Sequence, residues 1–443
     1  MSTPMLNPQN LEQLDRLVRG ELGSLVDCYK KLHANPELSG HEEQTAALLA
    51  RDLRVCGYQV TEGVGKYLKN QWRGHGVLGL LVNGPGPTVL VRADLDALPI
   101  EEQTGLPYAS RVKAQRDGQE VAVMHACGHD LHLASLIGSA RVLARMKENW
   151  QGTLVLVGQP GEEGGGGAQA MLNDGAYRLV PRPDAALALH ATAQLPAGEV
   201  ACAAGNFMAS LTEVEVTVYG VGAHGSAPER AKDPVVMAAQ LVLALQTIVS
   251  REVNPLEPAV LTVGSIHGGT ASNIIPDQVR LLLSIRAYDD AVRDGIVASV
   301  ERMAAGIALA AGVPAERSPN VALRVAHPAN YNDPQLTRRV TEAMSLVLGA
   351  DRVQQAQPVM ASEDFGFWGL NREIPTCMFW LGAADPDLFR KSQESGVPLP
   401  SLHSPFYAPL PEPALYTGVR STVAAVLSLM GQGRVAPSVE PGT

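Results

Sequence analysis

The sequence predicts an α/β protein, a mostly parallel sheet with helices on both faces, interrupted by an inserted α+β segment. Strands and helices alternate up to about residue 206, and several strands are unbroken apolar runs, such as TLVLVG (153–158) and AALAL (185–189). Such runs belong in a sheet covered on both sides. From Thr212 the texture changes to clean alternation, TEVEVTVY, as in a half-exposed antiparallel strand. After about residue 326 the helix and buried-strand pattern returns.

Taken in order, Leu11, Leu14, Leu17, Val18, Leu22, Leu25, Val26 and Tyr29 fall at helical spacing. HEEQTAALLARDLRVCG (41–57) reads as a second helix, with acidic residues in its first turn and Gly57 past its end. The stretch 76–100 gives two buried strands around a Gly-Pro turn, the second running out at Asp94 and Asp96. RVKAQRDGQE (111–120) is a polar excursion, a surface hairpin or loop. MHACGHD (124–130) opens a helix, 152–172 is strand, loop and helix, and DAALALHAT (184–192) is a further strand.

In the insert, Asp233 caps a helix with Pro234 at its first position. Strands AVLTVGSIHGG and VRLLLSIRAY, a helix over about 289–312 and the strand NVALRVAH complete the order βαββαβ. That is a ferredoxin-like split unit. It sets the insert at 207–326, between the sheet-domain parts 1–206 and 327–430, with a disordered tail expected at 431–443.

At 443 residues, 46% hydrophobic and 18% charged, the chain suits two or three globular domains. A net charge of −10 excludes a general nucleic-acid binder, which needs basic excess. No membrane span is expected, since no apolar run approaches about 18 residues, and the start lacks a secretory signal pattern. The five cysteines (28, 56, 127, 202 and 377) are odd in number and scattered, so free thiols and a cytoplasmic location are expected. All but Cys127 sit in apolar surroundings and read as core residues.

In parallel sheets ligands bind beyond the carboxyl ends of strands, where Asp94, Asp96, Glu162, Glu163 and His190 fall. Cys127 and His129, one residue apart at a helix start, are preferred partners of zinc and similar ions, although the pair alone also fits a packed polar turn. Glu162 and Glu163 are adjacent carboxylates that repel each other unless a cation intervenes. One could then bind the cation while the other acts as general base; a solvated acidic loop is the alternative. His190 taken singly fits a core histidine, and His403, in the irregular SLHSPFYAP, fits a surface or capping one. Together these segments offer one thiol, one carboxylate and three imidazoles, enough for one metal or two with bridging ligands. In the insert, His224, Asn273 and Arg286 could polarise a carbonyl and hold a carboxylate. Equally, Asn273 could make a turn before Pro276 and Arg286 be an exposed strand residue.

RADLDALP, MHACGHDLH, GQPGEEGGGGA, ALHA, GAHGSAPE, GGTASNIIPD, SEDFGFW and LHSPFY occur in the order seen in one metallo-amidohydrolase family. The chain resembles that family, which comprises hippurate hydrolases, aminoacylases and auxin-conjugate hydrolases and is related to glutamate carboxypeptidases, from about Leu32 to His403. The resemblance implies a catalytic α/β domain with a one- or two-metal site and an inserted lid domain that forms a homodimer. It implies Cys127, His129, Glu163, His190 and His403 as metal ligands and Glu162 as general base. His224 would steady the oxyanion, in this family commonly across the dimer; Asn273 and Arg286 would contact substrate, and Asp94 and Asp96 would orient ligands. Glu363 and Asp364 belong to the family pattern and are expected near the pocket. The implied reaction is hydrolysis of an N-acyl amino acid, a small-molecule amide. Cys127 disfavours magnesium and calcium and leaves zinc, manganese, nickel and cobalt open. The excursion at 111–120 is longer than in the leanest members and is expected to shape specificity. A dipeptidase or carboxypeptidase would use the same machinery. A non-catalytic scaffold is disfavoured because Glu162 and every implied ligand are present.

Overall fold

The apolar runs form an eight-stranded sheet in the computed structural model, which describes residues 6–66, 74–164 and 166–431. The strand order is Gln59–Val64, Gly76–Asn83, Gly152–Gln159, Thr88–Asp94, Ala185–Pro196, Thr376–Ala384, Val200–Cys202, Val353–Gln355. Its centre is parallel: Thr88–Asp94 pairs with Gly152–Gln159 and Ala185–Pro196, and the latter with Thr376–Ala384. Antiparallel pairs lie to either side. The two strands flanking the Gly-Pro turn are not partners, because Gly152–Gln159 lies between them. The edge strand Gln59–Val64 escapes the sequence reading since it is mostly exposed and its pattern weak.

Helices flank this sheet. Pro8–Ala34 is capped by Asn7, whose side chain accepts from Asn10 N at 2.9 Å, and it buries Leu14, Val18, Leu25 and Tyr29. His129–Arg145 is buried on almost every side between Pro8–Ala34 and Pro411–Met430. Gly138 makes this approach possible: a Cβ there would meet Val419 Cγ2 at 2.6 Å and Leu25 Cδ1 at 2.7 Å. Each fully buried leucine of this core contributes roughly 1.5–3 kcal/mol. The helix that begins at the histidine motif is therefore anchored along its length.

The described residues divide into two units. One is built from Met1–Gly205, Asn332–Gln357 and Phe367–Thr443, the other from Asn206–Tyr331 and Pro358–Gly366. The second has an antiparallel sheet of order Ala259–Gly268, Gln278–Ala287, Leu211–Tyr219, Asn320–His327. With helices Pro234–Thr247 and Asp290–Ala310 this is the βαββαβ split unit. Val214, Val216, Leu281, Leu283 and Ile285 pack against Met237, Leu241, Ile296 and Val300. Asp233 caps the first helix, accepting from Val235 N at 2.8 Å. Pro358–Gly366 joins this unit through backbone bonds of Val359 with Phe207 and Ala209.

The described residues qualify one expectation and correct another. The run Pro234–Glu252 is long and apolar enough to cross a membrane by length and composition, yet it buries Met237, Leu241, Leu245 and Ile248 in the core of its own unit. Cys28 and Cys56 are only half buried, Cys28 on a helix flank and Cys56 at a helix end, while Cys202 and Cys377 are core residues. The expected disordered tail lies, from residue 432, outside the described residues.

Candidate metal centre

The site is built on three central strands, at the carboxyl ends of two of them. Asp94 ends Thr88–Asp94, Glu162 and Glu163 follow Gly152–Gln159, and His190 lies within Ala185–Pro196. The motif supplies Cys127 and His129 on either side of Gly128, whose φ of 81° is the left-handed turn that starts the helix at His129. His403 comes from the C-terminal loop. Its φ is 65°, a conformation that costs a non-glycine residue roughly 1–3 kcal/mol, and its N–H is tied to the Ala126 carbonyl at 2.9 Å.

These side chains converge. Cys127, His129 and His190 offer ligand atoms all within 4.8 Å of one another, as do Cys127, Glu163 and His403, and likewise His129, Glu162 and Glu163. Cys127 Sγ lies 3.6 Å from His190 Nε2, and His403 Nε2 lies 3.1 Å from Glu163 Oε1.

The hydrogen bonds aim the donors inward. His129 donates from Nδ1 to the Asp96 carbonyl at 2.8 Å, and His190 from Nδ1 to the Ala191 carbonyl at 2.8 Å. Each ring thus turns Nε2 toward the centre, as carbonyl-held metal ligands do. Among the described residues, the buried His129 Nε2 has no hydrogen-bond partner. An orphaned buried nitrogen of this kind is what a bound cation would satisfy.

Asp96 holds two parts of the site. Its Oδ2 accepts from Ser39 Oγ at 2.6 Å and from the backbone N–H of Glu163 at 2.9 Å. Asp94 accepts from Arg92 Nη1 at 2.7 Å and from His132 Nδ1 at 2.6 Å. His132 Nε2 in turn accepts from Ala191 N at 2.7 Å, so both of its ring nitrogens are engaged within the protein. Behind them Arg92 Nε and Trp368 Nε1 both donate to Gln159 Oε1.

Electrostatics also favour a cation. Burial would lower the His129 pKa, but Asp94, Asp96 and Glu163 outweigh it and hold the ring at about 10. A field that favours a proton at Nε2 favours a metal ion there equally. Burial, then the Glu163 and Glu162 carboxylates, push the Cys127 thiol well above its usual range, and a divalent ion would reverse that. Burial lowers His190 and His132 to about 4, so both are neutral. Asp94 is held far below its usual range; burial opposes this, but His129, His132 and Arg92 prevail. The thiol, imidazole and carboxylate donors fit one or two borderline divalent ions.

His224, Asn273 and Arg286 belong to the second unit. His224 pairs with Ile274 on a short two-stranded ribbon, and Gly225 N donates to the Asn273 carbonyl at 2.7 Å, so His224 and Asn273 lie side by side. The exposed His224 ring places Nδ1 2.7 Å from Ser226 Oγ. Arg286 is half buried on Gln278–Ala287 and donates to the Met360 carbonyl at 2.7 Å, rather than standing exposed. Glu363 accepts from Phe365 N at 3.0 Å and, like Asp364, is buried.

Four supporting residues escape the sequence reading: Arg92, His132, Ser39 and Glu42. Arg92 lies two residues before Asp94, on the same strand face, and His132 lies three after His129, on the same helix face. Those spacings were visible signals. Glu42 was not foreseeable; its Oε1 accepts from Gly40 N and Gly161 N, and burial with the nearby Asp96 raises its pKa to about 8.

Residues 90–403 match the sequence model of peptidase family M20/M25/M40. The chain is 36% identical to the N-acetyl-L-cysteine deacetylase of Bacillus subtilis over 367 residues, covering 82% of this chain and 80% of the deacetylase. It is 38% identical to the hippurate hydrolase of Campylobacter jejuni over 372 residues, 83% of this chain and 90% of that enzyme. The crystal structure of a dinuclear metal binding peptidase from the M20 family of Bacillus subtilis matches with a TM-score of 0.72 and 26% identity, over 93% of this chain and 99% of that one.

Proposed function

The chain belongs to peptidase family M20/M25/M40, and on that premise we propose that it is a metal-dependent amidohydrolase acting on N-acyl amino acids. It would release a carboxylic acid and a free amino acid. The observation that carries this reading is the convergence of Cys127, His129, Glu163, His190 and His403 with Glu162 beside them. The deacetylase and hippurate hydrolase relatives point to the same substrate class.

One or two divalent ions held by those five residues would supply a Lewis acid for the amide carbonyl and a more acidic water. Glu162, whose carboxylate stands within 4.8 Å of ligand atoms of His129 and Glu163, takes the proton from the attacking water. It then returns that proton to the nitrogen of the leaving amine, which departs neutral. Asp96 and the Ala191 carbonyl keep His129 and His190 in the tautomer that presents Nε2. Asp94 steadies His129 from 3.6 Å. His224, with Nδ1 engaged by Ser226, has Nε2 to donate to the developing oxyanion. Asn273 and Arg286 hold the substrate's carbonyl and carboxylate. The Cys127 thiol disfavours magnesium and calcium and leaves zinc, manganese, nickel and cobalt open. A homodimer through the second unit and a cytoplasmic setting, in keeping with five free thiols, complete the reading.

The test is amine release from N-acetyl, N-benzoyl and indole-acyl amino acids beside simple dipeptides. Each is assayed as purified, after chelation, and after adding back zinc or manganese. Cleavage of acyl amino acids that stops with chelation and returns with metal supports the reading. Cleavage of dipeptides alone would make the enzyme a dipeptidase, and no turnover by metal-loaded protein would sink both.

A further inference from the structure

A cleft of about 300 Å³ opens beside Glu163 in the first unit. One wall is apolar, formed by Leu38, Ala97, Leu98 and Pro99. The facing wall is the tip of the 113–122 hairpin, which presents Gln115, Arg116 and Asp117.

The hairpin is built to hold that tip still. Lys113–Arg116 and Gln119–Ala122 pair in antiparallel register, closed by Asp117 (φ 52°) and Gly118 (φ 77°). Positive φ at both positions is the two-residue turn that Asp-Gly favours. Val112, Ala114 and Val121 pack on Leu38, Ala97 and Val123, so the base is docked on an apolar cluster. Leu38 bridges Ala97, and the neighbouring Ser39 donates to Asp96, which fixes His129 and the Glu163 backbone. The cleft wall and the metal centre therefore share one support.

Of the two cations on these strands, Lys113 is matched by Glu120 at 2.8 Å. Arg116 is matched only loosely: Asp117 stands 3.8 Å away, beyond hydrogen-bond reach, and is itself 94% exposed. The guanidinium thus has donors to offer in the cleft that Arg116 lines.

We propose that the 113–122 hairpin is a specificity wall, and that Arg116 receives a second carboxylate carried by the substrate at the end remote from the scissile amide. This rests on the amidohydrolase reading. The preferred substrates would be N-acyl amino acids with an acidic acyl chain or an acidic side chain. A planar guanidinium suits a carboxylate, in one or two hydrogen bonds. Because the Arg116 side chain is half exposed, the expected discrimination is modest, about fivefold.

The test is calorimetric binding to the zinc-loaded, full-length protein of succinate, glutarate and adipate, each against the monocarboxylate of equal chain length. At least one dicarboxylate is expected to bind about fivefold tighter than its partner. Arg116→Ala should bring the pair level, and Arg116→Lys should keep part of the difference. In parallel, kcat/KM is compared for N-succinyl- against N-butanoyl-alanine and for N-acetylglutamate against N-acetylnorvaline. Arg116→Ala should depress only the acidic member of one pair, with Tm unchanged. No dicarboxylate preference in the wild type, or a preference that survives Arg116→Ala, overturns the proposal. Wild-type protein that turns over no amide sinks the amidohydrolase reading instead, while the binding measurement still decides the role of Arg116.

Discussion

His132 donates from Nδ1 to Asp94 Oδ1 across 2.6 Å while its Nε2 accepts from the Ala191 N–H at 2.7 Å, so one ring ties two neighbouring strands to the motif helix. With both nitrogens spent, His132 has nothing left for a metal, although its position beside Asp94 and His129 would suggest otherwise. Its work is to fix the strand that carries His190. His132→Ala strands a buried carboxylate oxygen and a buried N–H, a loss of about 2–4 kcal/mol. Urea denaturation should register that loss, and the metal content of the surviving folded protein should fall. Unchanged stability would mean that the ring is not held as described.

Glu162 stands beside the proposed ligands without being one of them. Glu162→Gln keeps shape and removes the base, so kcat should fall by roughly 10²–10⁴-fold while metal content and Tm stay at wild-type values. A fall in bound metal of the same size as the fall in kcat would show that Glu162 is a ligand instead.

The sheet and the split unit were legible because each has a short-range signature, unbroken apolar strands or period-2 alternation, and the proposed ligands because the ordered family motifs carry them. The network behind them was not, for a physical reason. Gln159 matters because Arg92 and Trp368 both reach it, and that meeting joins residues more than two hundred positions apart. Glu42 likewise acts on Gly161 from a different helix start. Long-range pairings of polar side chains leave no periodic trace. Nor could sequence give the insertion of Gly152–Gln159 between strands that are neighbours in the chain.

His33 makes the fold pH-sensitive from a distance. Its Nδ1 meets Asp130 at 2.7 Å and its Nε2 meets Glu102 at 3.1 Å, joining the first helix to the motif helix. Burial lowers its pKa, but the two carboxylates outweigh burial and raise it from 6.5 to about 9. A raised folded-state pKa means stabilisation that is complete below pH 6.5 and lost as pH rises through 9. The wild type should therefore lose stability, of order 3 kcal/mol, between those limits. His33→Gln should be less stable at pH 6, and its stability should fall by less than the wild type's across the same window. Parallel curves for the two proteins in urea denaturation would remove His33 as the cause.

Gly128 is the hinge on which the candidate centre depends. It lies between Cys127 and His129 with φ of 81°, and a Cβ there would stand 3.0 Å from Ala191 Cβ and 3.3 Å from Tyr407 Oη. Gly128→Ala thus meets two costs together, the left-handed backbone at roughly 1–3 kcal/mol and a crowded contact against the strand that bears His190. Relief of both is expected to shift the backbone that carries Cys127 and His129. The variant should fold with a lowered Tm and bind less zinc per chain, measured by equilibrium dialysis against buffered metal. Binding at wild-type affinity with only the Tm lowered would show that the backbone absorbs the strain without moving the thiol, and that Cys127 is less tightly placed than its 3.6 Å separation from His190 implies.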